Sequence, residues 1–279
     1  MAVANERIWS GRTVLVTGAT KGIGSATAML FGSKGAHVIV HGQNAEAAEN
    51  VRAAIVGAEG RASVILADLR KATECERLVA QTVATTTRVD VLVNNAGANV
   101  FKGTMEATVA EWNECLDLDL RAVWLCSREA ARSMPSGSAI INLSSNHASS
   151  TLAGVFPYNV AKAGVNALTQ SLAIELAPRG IRVNAIAPGY VDTPINDTYF
   201  ATFDDPDRAR AHAEQLHLSG RLGRTGEIAY AIEFLADDLR SGFTTGTTVT
   251  IDGGRSALLQ DAMSRPDAGE VVDGSRRAR

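Results

Sequence analysis

Short apolar runs alternate along this chain with longer stretches of helical periodicity. The runs lie at residues 13–17, 37–41, 63–67, 89–94, 139–143, 182–186 and 247–251. They are apolar almost throughout instead of alternating with polar residues, the pattern of strands buried on both faces. Between them, residues 22–33, 45–54, 74–83, 109–133, 156–176 and 227–236 repeat apolar positions at helical spacing. Two helix starts carry the S/T-x-x-E capping signature: Thr73 with Glu76, and Thr108 with Glu111. This alternation predicts βαβ units and an α/β fold: a doubly wound, Rossmann-type parallel sheet of about seven strands with helices on both faces.

The same pattern sets the organisation. Residues 1–260 read as one domain holding the cofactor and substrate sites, and 261–279 as a polar C-terminal tail. The longest interruption, 190–223, reads as an insertion suited to a substrate lid. A hydrophobic content of 46% over 279 residues argues for a globular, soluble protein. The net charge of −3 comes without a basic stripe or a basic amphipathic segment, so neither nucleic acid nor a membrane surface is expected as a partner. No apolar run approaches a spanning helix, and the polar N-terminus lacks a signal-peptide core. Cys75, Cys115 and Cys126 have no metal-ligand spacing; they read as reduced thiols of a cytoplasmic protein, with no metal site.

The first run leads into Thr17-Gly18-Ala19-Thr20-Lys21-Gly22-Ile23-Gly24, and a helix follows. Glycines at this junction let the backbone turn sharply and approach a pyrophosphate, which the free N–H groups of the helix start attract. The competing reading is an ordinary glycine-rich turn; placement after strand one and before helix one favours a dinucleotide. At the end of the second strand, His41-Gly42-Gln43-Asn44 offers no carboxylate to grip the ribose hydroxyl of NAD. Lys21 is placed to meet a 2′-phosphate. The cofactor is therefore read as NADP(H), with NAD(H) as the alternative.

Tyr158 and Lys162 stand four apart, on one face of a helix. A free phenol with a pKa near ~10 exchanges protons poorly at neutral pH. A neighbouring ammonium favours the phenolate, and bringing the group near ~7 takes about 4 kcal/mol. The pair is thus a candidate general acid/base.

Taken together, these residues resemble the classical short-chain dehydrogenase/reductase family over about residues 10–256. The resemblance rests on the glycine loop, on Asn94-Asn95-Ala96-Gly97, on Ser145 thirteen residues before Tyr158, on Tyr158 and Lys162, on Pro188-Gly189-Tyr190-Val191-Asp192-Thr193, and on Asp252-Gly253-Gly254. It implies that Tyr158 is the acid/base, that Lys162 lowers its pKa and holds the nicotinamide ribose, and that Ser145 orients the substrate oxygen. It implies cofactor contacts from Gly18, Thr20, Lys21, Gly22, Ile23 and Gly24, and from Gly42 and Gln43 after strand two. Asp68 and Leu69 would hold the adenine. Asn95, Ala96 and Gly97 would line the cofactor, and Pro188, Gly189, Val191 and Thr193 would bind the carboxamide end. It also implies a dimer or tetramer of identical chains, with the helices bearing Trp124 and Tyr158 facing a neighbour.

One position departs from the family. An asparagine usually supports a proton relay to the lysine; here Asp119 stands at that place. Ionised, it accepts hydrogen bonds but donates none, and it is a candidate partner for Lys162, opposing part of the lysine's effect on Tyr158. His147, two residues after Ser145, reads as a substrate contact, with a solvated loop histidine as the alternative. Trp112 and Trp124 read as core or subunit contacts.

The activity implied is hydride transfer between NADP(H) and a small secondary alcohol or ketone. A polyol or sugar is favoured, and a 3-oxoacyl thioester comes next. A non-catalytic dinucleotide sensor on the same fold is the rival from another class, and a structural subunit of a mixed oligomer a third reading. The presence of Ser145, Tyr158 and Lys162 together argues against the sensor.

Overall fold

The computed structural model describes residues 7–257, so the polar tail expected from 261 lies outside the described residues. The strands are β1 (Thr13–Val16), β2 (His37–Gly42), β3 (Arg61–Leu66), β4 (Val91–Asn94), β5 (Phe101–Lys102), β6 (Ala139–Leu143), β7 (Phe156–Pro157), β8 (Arg182–Pro188) and β9 (Thr248–Ile251). Seven of them form one sheet in the order β3-β2-β1-β4-β6-β8-β9, with every neighbouring pair parallel. The order reverses between β1 and β4. At such a switch point a crevice opens beyond the carboxyl ends of the strands.

The helices are α1 (Gly22–Ser33), α2 (Ala45–Gly57), α3 (Ala72–Thr86), α4 (Val109–Leu116), α5 (Ala122–Ala131), α6 (Tyr158–Leu176), α7 (Pro194–Phe200), α8 (Pro206–Gln215), α9 (Thr225–Ala236) and α10 (Asp238–Ser241). Successive strand residues point to opposite faces, and this divides the core in two. Val14, Val16, Val38 and Val40 meet Phe31 of α1 and Ile228 and Ile232 of α9 on one side. Leu15, Ile39 and Leu92 meet Leu78 of α3 and Leu125 and Cys126 of α5 on the other. Each large aliphatic side chain so buried contributes about 1.5–3 kcal/mol of transfer free energy.

Several local expectations change. Thr108 and Glu111 do form the capping box, with Thr108 accepting from Glu111 N–H at 3.2 Å. Thr73 does not cap: α3 begins at Ala72 and Lys71 stands at the N-cap, so Thr73 falls inside the first turn. The expected helix at 109–133 is α4 and α5 joined by a wide π turn, Asp117–Arg121, in which Ala122 N–H bonds to Asp117 O. Phe156 is not helical. The residue before a proline is steered away from the α region, and Phe156–Pro157 pairs antiparallel with Phe101–Lys102 instead. The stretch 190–223 holds α7 and α8 around a small cluster of Phe200, Ala213 and Leu222. Trp112 packs on Phe156 with ring centroids 5.4 Å apart, while Trp124 is exposed under Arg128.

Candidate active site

The glycine loop turns through two positive-φ residues, Gly18 at 63° and Gly22 at 56°. Lys21, at the N-cap of α1, makes no side-chain cap, so the first-turn N–H groups of the helix keep their donors for an anion. Gly24 admits no side chain: a Cβ there would lie 2.2 Å from Gly18 O and 2.5 Å from Asn95 Nδ2. Asn95 Nδ2 donates to Thr17 O at 2.9 Å and to Gly18 O at 3.0 Å. Thr17 Oγ1 in turn accepts from the N–H groups of Asn95 and Ala96. The loop is thus clipped to the turn after β4.

A residue that the sequence pattern passed over completes this clip. His41 Nδ1 accepts the Gly18 N–H at 3.1 Å, and Nε2–H donates to Ala67 O at 3.1 Å. Both nitrogens are committed to the neutral ring. Burial lowers the His41 pKa to about 4, with the Ala67 carbonyl opposing. The only signal in the sequence is a polar residue closing an apolar strand.

At the other end of the crevice, Tyr158 and Lys162 stand on the first turns of α6, with Lys162 Nζ 5.4 Å from the phenol ring centroid. Lys162 Nζ donates to Leu143 O at 3.0 Å. It also lies 3.0 Å from Asp119 Oδ1, which the π turn aims inward. That oxygen has no hydrogen bond of good geometry, so the attraction is chiefly Coulombic. The other oxygen, Oδ2, accepts Ala98 N–H at 3.2 Å. Burial pushes the Asp119 carboxyl up against the pull of Lys162. Burial acts to lower Lys162, yet Asp119 and Tyr158 hold it above its ordinary value.

Tyr158 departs from expectation. Its pKa is raised, because burial of the phenol outweighs the lysine charge, and Asp119 adds to the rise while Lys162 and Ser145 oppose it. Cys115, also facing this cluster, is pushed up to about 12 by burial. Ser145 caps the short turn Asn146–Ala148 and accepts His147 N–H at 3.1 Å. His147 is buried, not solvated: its ring lies 6.5 Å from Tyr158, and burial lowers its pKa to about 4.

A cavity of about 250 Å³ joins the two ends. It is lined by Gly18, Thr20, Lys21, Gly22 and Ile23, by Asn95, Ala96 and Gly97, by Asp119, Ser145, Tyr158 and Lys162, and by Pro188, Gly189, Val191 and Thr193. Gly24, Gly42, Gln43, Asp68, Leu69 and His147 are not on that lining. Gly42 sits beneath it, since a Cβ there would lie 2.3 Å from Thr20 Cγ2. Leu69 is in the core, and Asp68 is held by Arg70 Nε at 2.9 Å and Gln43 Nε2 at 3.2 Å. A donor-rich glycine turn at one end and a Tyr-Lys-Ser group at the other fit an extended dinucleotide. Among the described residues no group of three or more His, Cys, Asp or Glu is placed to hold a metal, and no helix is long and apolar enough to cross a membrane.

The family model described as enoyl-(acyl carrier protein) reductase matches residues 18–256. The chain belongs to the short-chain dehydrogenase/reductase family. This short-chain dehydrogenase/reductase is 41% identical over 251 residues to 3beta-hydroxysteroid dehydrogenase 1 of Eggerthella lenta, covering 88% of this chain and 93% of that protein. It is 40% identical over 250 residues to cis-4-hydroxycyclohexanecarboxylate dehydrogenase of Sinomonas cyclohexanicum, covering 88% and 97%. Its fold superposes with a TM-score of 0.82 on a short chain dehydrogenase from Burkholderia cenocepacia J2315 in complex with NADP, at 32% identity, covering 88% and 98%. It is an oxidoreductase acting on CH–OH groups.

Proposed function

We propose that this oxidoreductase interconverts a ring-borne secondary alcohol and its ketone, using NADP(H), with Tyr158 as acid/base. The observation that carries the reading is the convergence of Tyr158, Lys162 and Ser145 at the far end of the cavity that begins at the glycine loop. When bound, the nicotinamide supplies the hydride acceptor or donor and, oxidised, a positive ring. Tyr158 takes the hydroxyl proton in oxidation and returns it to the oxygen in reduction. Ser145 holds the same oxygen and stabilises charge developing on it. Lys162 offsets the charge of the phenolate. Lys21, exposed at the mouth and without an ion pair among the described residues, supports the NADP(H) preference.

The substrate reading moves from a polyol or sugar towards an alicyclic alcohol because aromatic faces line one side of Tyr158, with the His147 ring 6.5 Å away as the polar neighbour. Phe101 meets Tyr158 edge-on at 5.3 Å, and Tyr199 meets Phe101 edge-on at 5.7 Å. The names of the steroid and cyclohexane relatives support the same class. Trp124, Val160 and Ile174 are exposed on α5 and α6, which supports the homo-oligomer reading. The stretch 190–223, which supplies Tyr199, is proposed as the lid over this site.

The test is reduced-nicotinamide absorbance with cyclic alcohols, polyols, sugars and oxoacyl thioesters, each with NADP(H) and NAD(H). We expect turnover on a cyclic alcohol that Tyr158→Phe lowers about 10²–10⁴-fold. Turnover confined to polyols would move the substrate class back; bound cofactor with no turnover would favour the sensor.

A further inference from the structure

The row of rings that begins at Tyr158 ends at a cation. Beyond Phe101 and Tyr199, Tyr190 stacks on Tyr199 with centroids 6.3 Å apart and 17° between the planes. Arg255 Cζ lies 4.6 Å from the Tyr190 centroid. Arg255 follows β9, and it and the three rings flank the cavity without lining it, Tyr190 standing between the lining residues Gly189 and Val191.

Its guanidinium carries five N–H donors in a fixed fork. Among the described residues, none of them meets an acceptor; the backbone N–H bonds to Asp252 O at 3.1 Å, and the side chain forms no ion pair. Arg70, Arg77, Arg128, Arg210 and Arg221 each hold a carboxylate. The neighbouring Asp252 is turned into its own loop, accepting Gly254 N–H at 3.0 Å and Ser256 N–H at 2.7 Å. The ring face offsets part of the charge but accepts none of the donors. Nearby, His147 and His217 have lowered pKa values, chiefly from burial with Arg255 contributing, so no second cation gathers there. The result is a half-buried guanidinium at the end of an aromatic wall, with its fork unused.

We propose that Arg255 binds a carboxylate on the substrate, so that the enzyme selects hydroxy and oxo acids whose carboxylate is separated from the reacting carbon by an apolar ring. A guanidinium fork and a carboxylate match two donors to two acceptors. An apolar spacer would lie along the aromatic row, whose successive contacts are 5.3, 5.7, 6.3 and 4.6 Å, with Tyr158 receiving the other end. This inference rests on the reading of Tyr158 as acid/base and of the rings as the substrate wall.

The test compares oxo acids of one ring (4-oxocyclohexanecarboxylate) and of several fused rings, each with its methyl ester, using the full chain and NADPH, for wild type, Arg255→Gln and Arg255→Lys. We expect wild type to favour the acid by about tenfold or more in kcat/KM. Arg255→Gln should erase that preference, lowering kcat/KM for the acid about tenfold more than for the ester and chiefly through KM, and Arg255→Lys should restore part of it. Calorimetric titration of cyclohexanecarboxylate, which has no carbonyl to reduce, into the NADP⁺-loaded protein reads the subsite without turnover. Equal use of acid and ester by wild type would overturn the proposal. So would an equal loss of both in Arg255→Gln, or carboxylate binding that ignores the substitution. Arg255-dependent binding without turnover of either compound would uphold the carboxylate subsite and sink the alicyclic oxidoreductase reading.

Discussion

Lys162 Nζ stands 3.0 Å from Asp119 Oδ1, and both side chains are shut away from water. The lysine that should favour the Tyr158 phenolate is therefore shared with a carboxylate that disfavours it. Removing the carboxylate charge leaves Lys162, with Cys115 neutral beside it, to act on the phenol alone. We expect Asp119→Asn to preserve or raise turnover at neutral pH. The limb of the kcat/KM profile for alcohol oxidation should move to lower pH, because a lower phenol pKa makes the base available sooner. The uncompensated buried ammonium should cost on the order of 3 kcal/mol of stability, read as a lower urea midpoint. A collapse of turnover would give the carboxylate a role of its own.

Gly97 fixes how closely that pair can be packed. A Cβ there would lie 2.5 Å from Asp119 Oδ1 and 3.4 Å from Lys162 Nζ. Gly97→Ala should lower kcat/KM by about tenfold through displacement of the pair. In an Asp119→Ala background the same change should cost little, since the obstructing oxygen is gone. Equal penalties in the two backgrounds would show that Gly97 acts elsewhere.

His41 ties the cofactor loop to acidity. Unfolded, an imidazole takes its proton from about pH 6.5 downward; folded, His41 does so only near 4. Between those values the unfolded chain binds the extra proton, so stability falls as pH drops through the window and levels below it. The loss is about 3 kcal/mol at most. His41→Asn keeps an acceptor for Gly18 N–H but does not titrate. Urea midpoints from pH 4 to 7 should fall less steeply in this variant, and identical slopes would remove His41 from the account.

Lys21 should decide between the two dinucleotides. Lys21→Ala is expected to raise KM for NADP(H) by about tenfold while leaving NAD(H) nearly unchanged, since one charge-assisted contact to the 2′-phosphate is lost. Parallel loss with both cofactors would place Lys21 on the shared pyrophosphate instead.

The sheet was legible because parallel strands covered on both faces must be apolar, as in Val38-Ile39-Val40. The glycine loop, Ser145, Tyr158 and Lys162 were legible because their spacing along the chain is itself the motif, and the cavity brings them together. What stayed hidden depends on distant partners. His41 takes one hydrogen bond from Gly18 and gives another to Ala67, neither of which its own strand announces. Arg255 stands out only once its lack of an acceptor is visible in three dimensions. The direction of the Tyr158 shift is a contest between burial and charge, and burial has no signature in a Tyr-x-x-x-Lys pattern. Helices α7 and α8 are too short and polar for periodicity to find.

The wide turn at Asp117–Arg121 puts the two halves of one helix out of phase. A regular α-helix advances about 100° per residue, so one surplus residue rotates everything downstream by that angle. Cutting Leu118 would restore an unbroken ladder and swing Asp119 away from Lys162. The stretch would then be a more regular helix with nothing to say to the phenol. Here the count of residues, more than their identity, writes the geometry of the site.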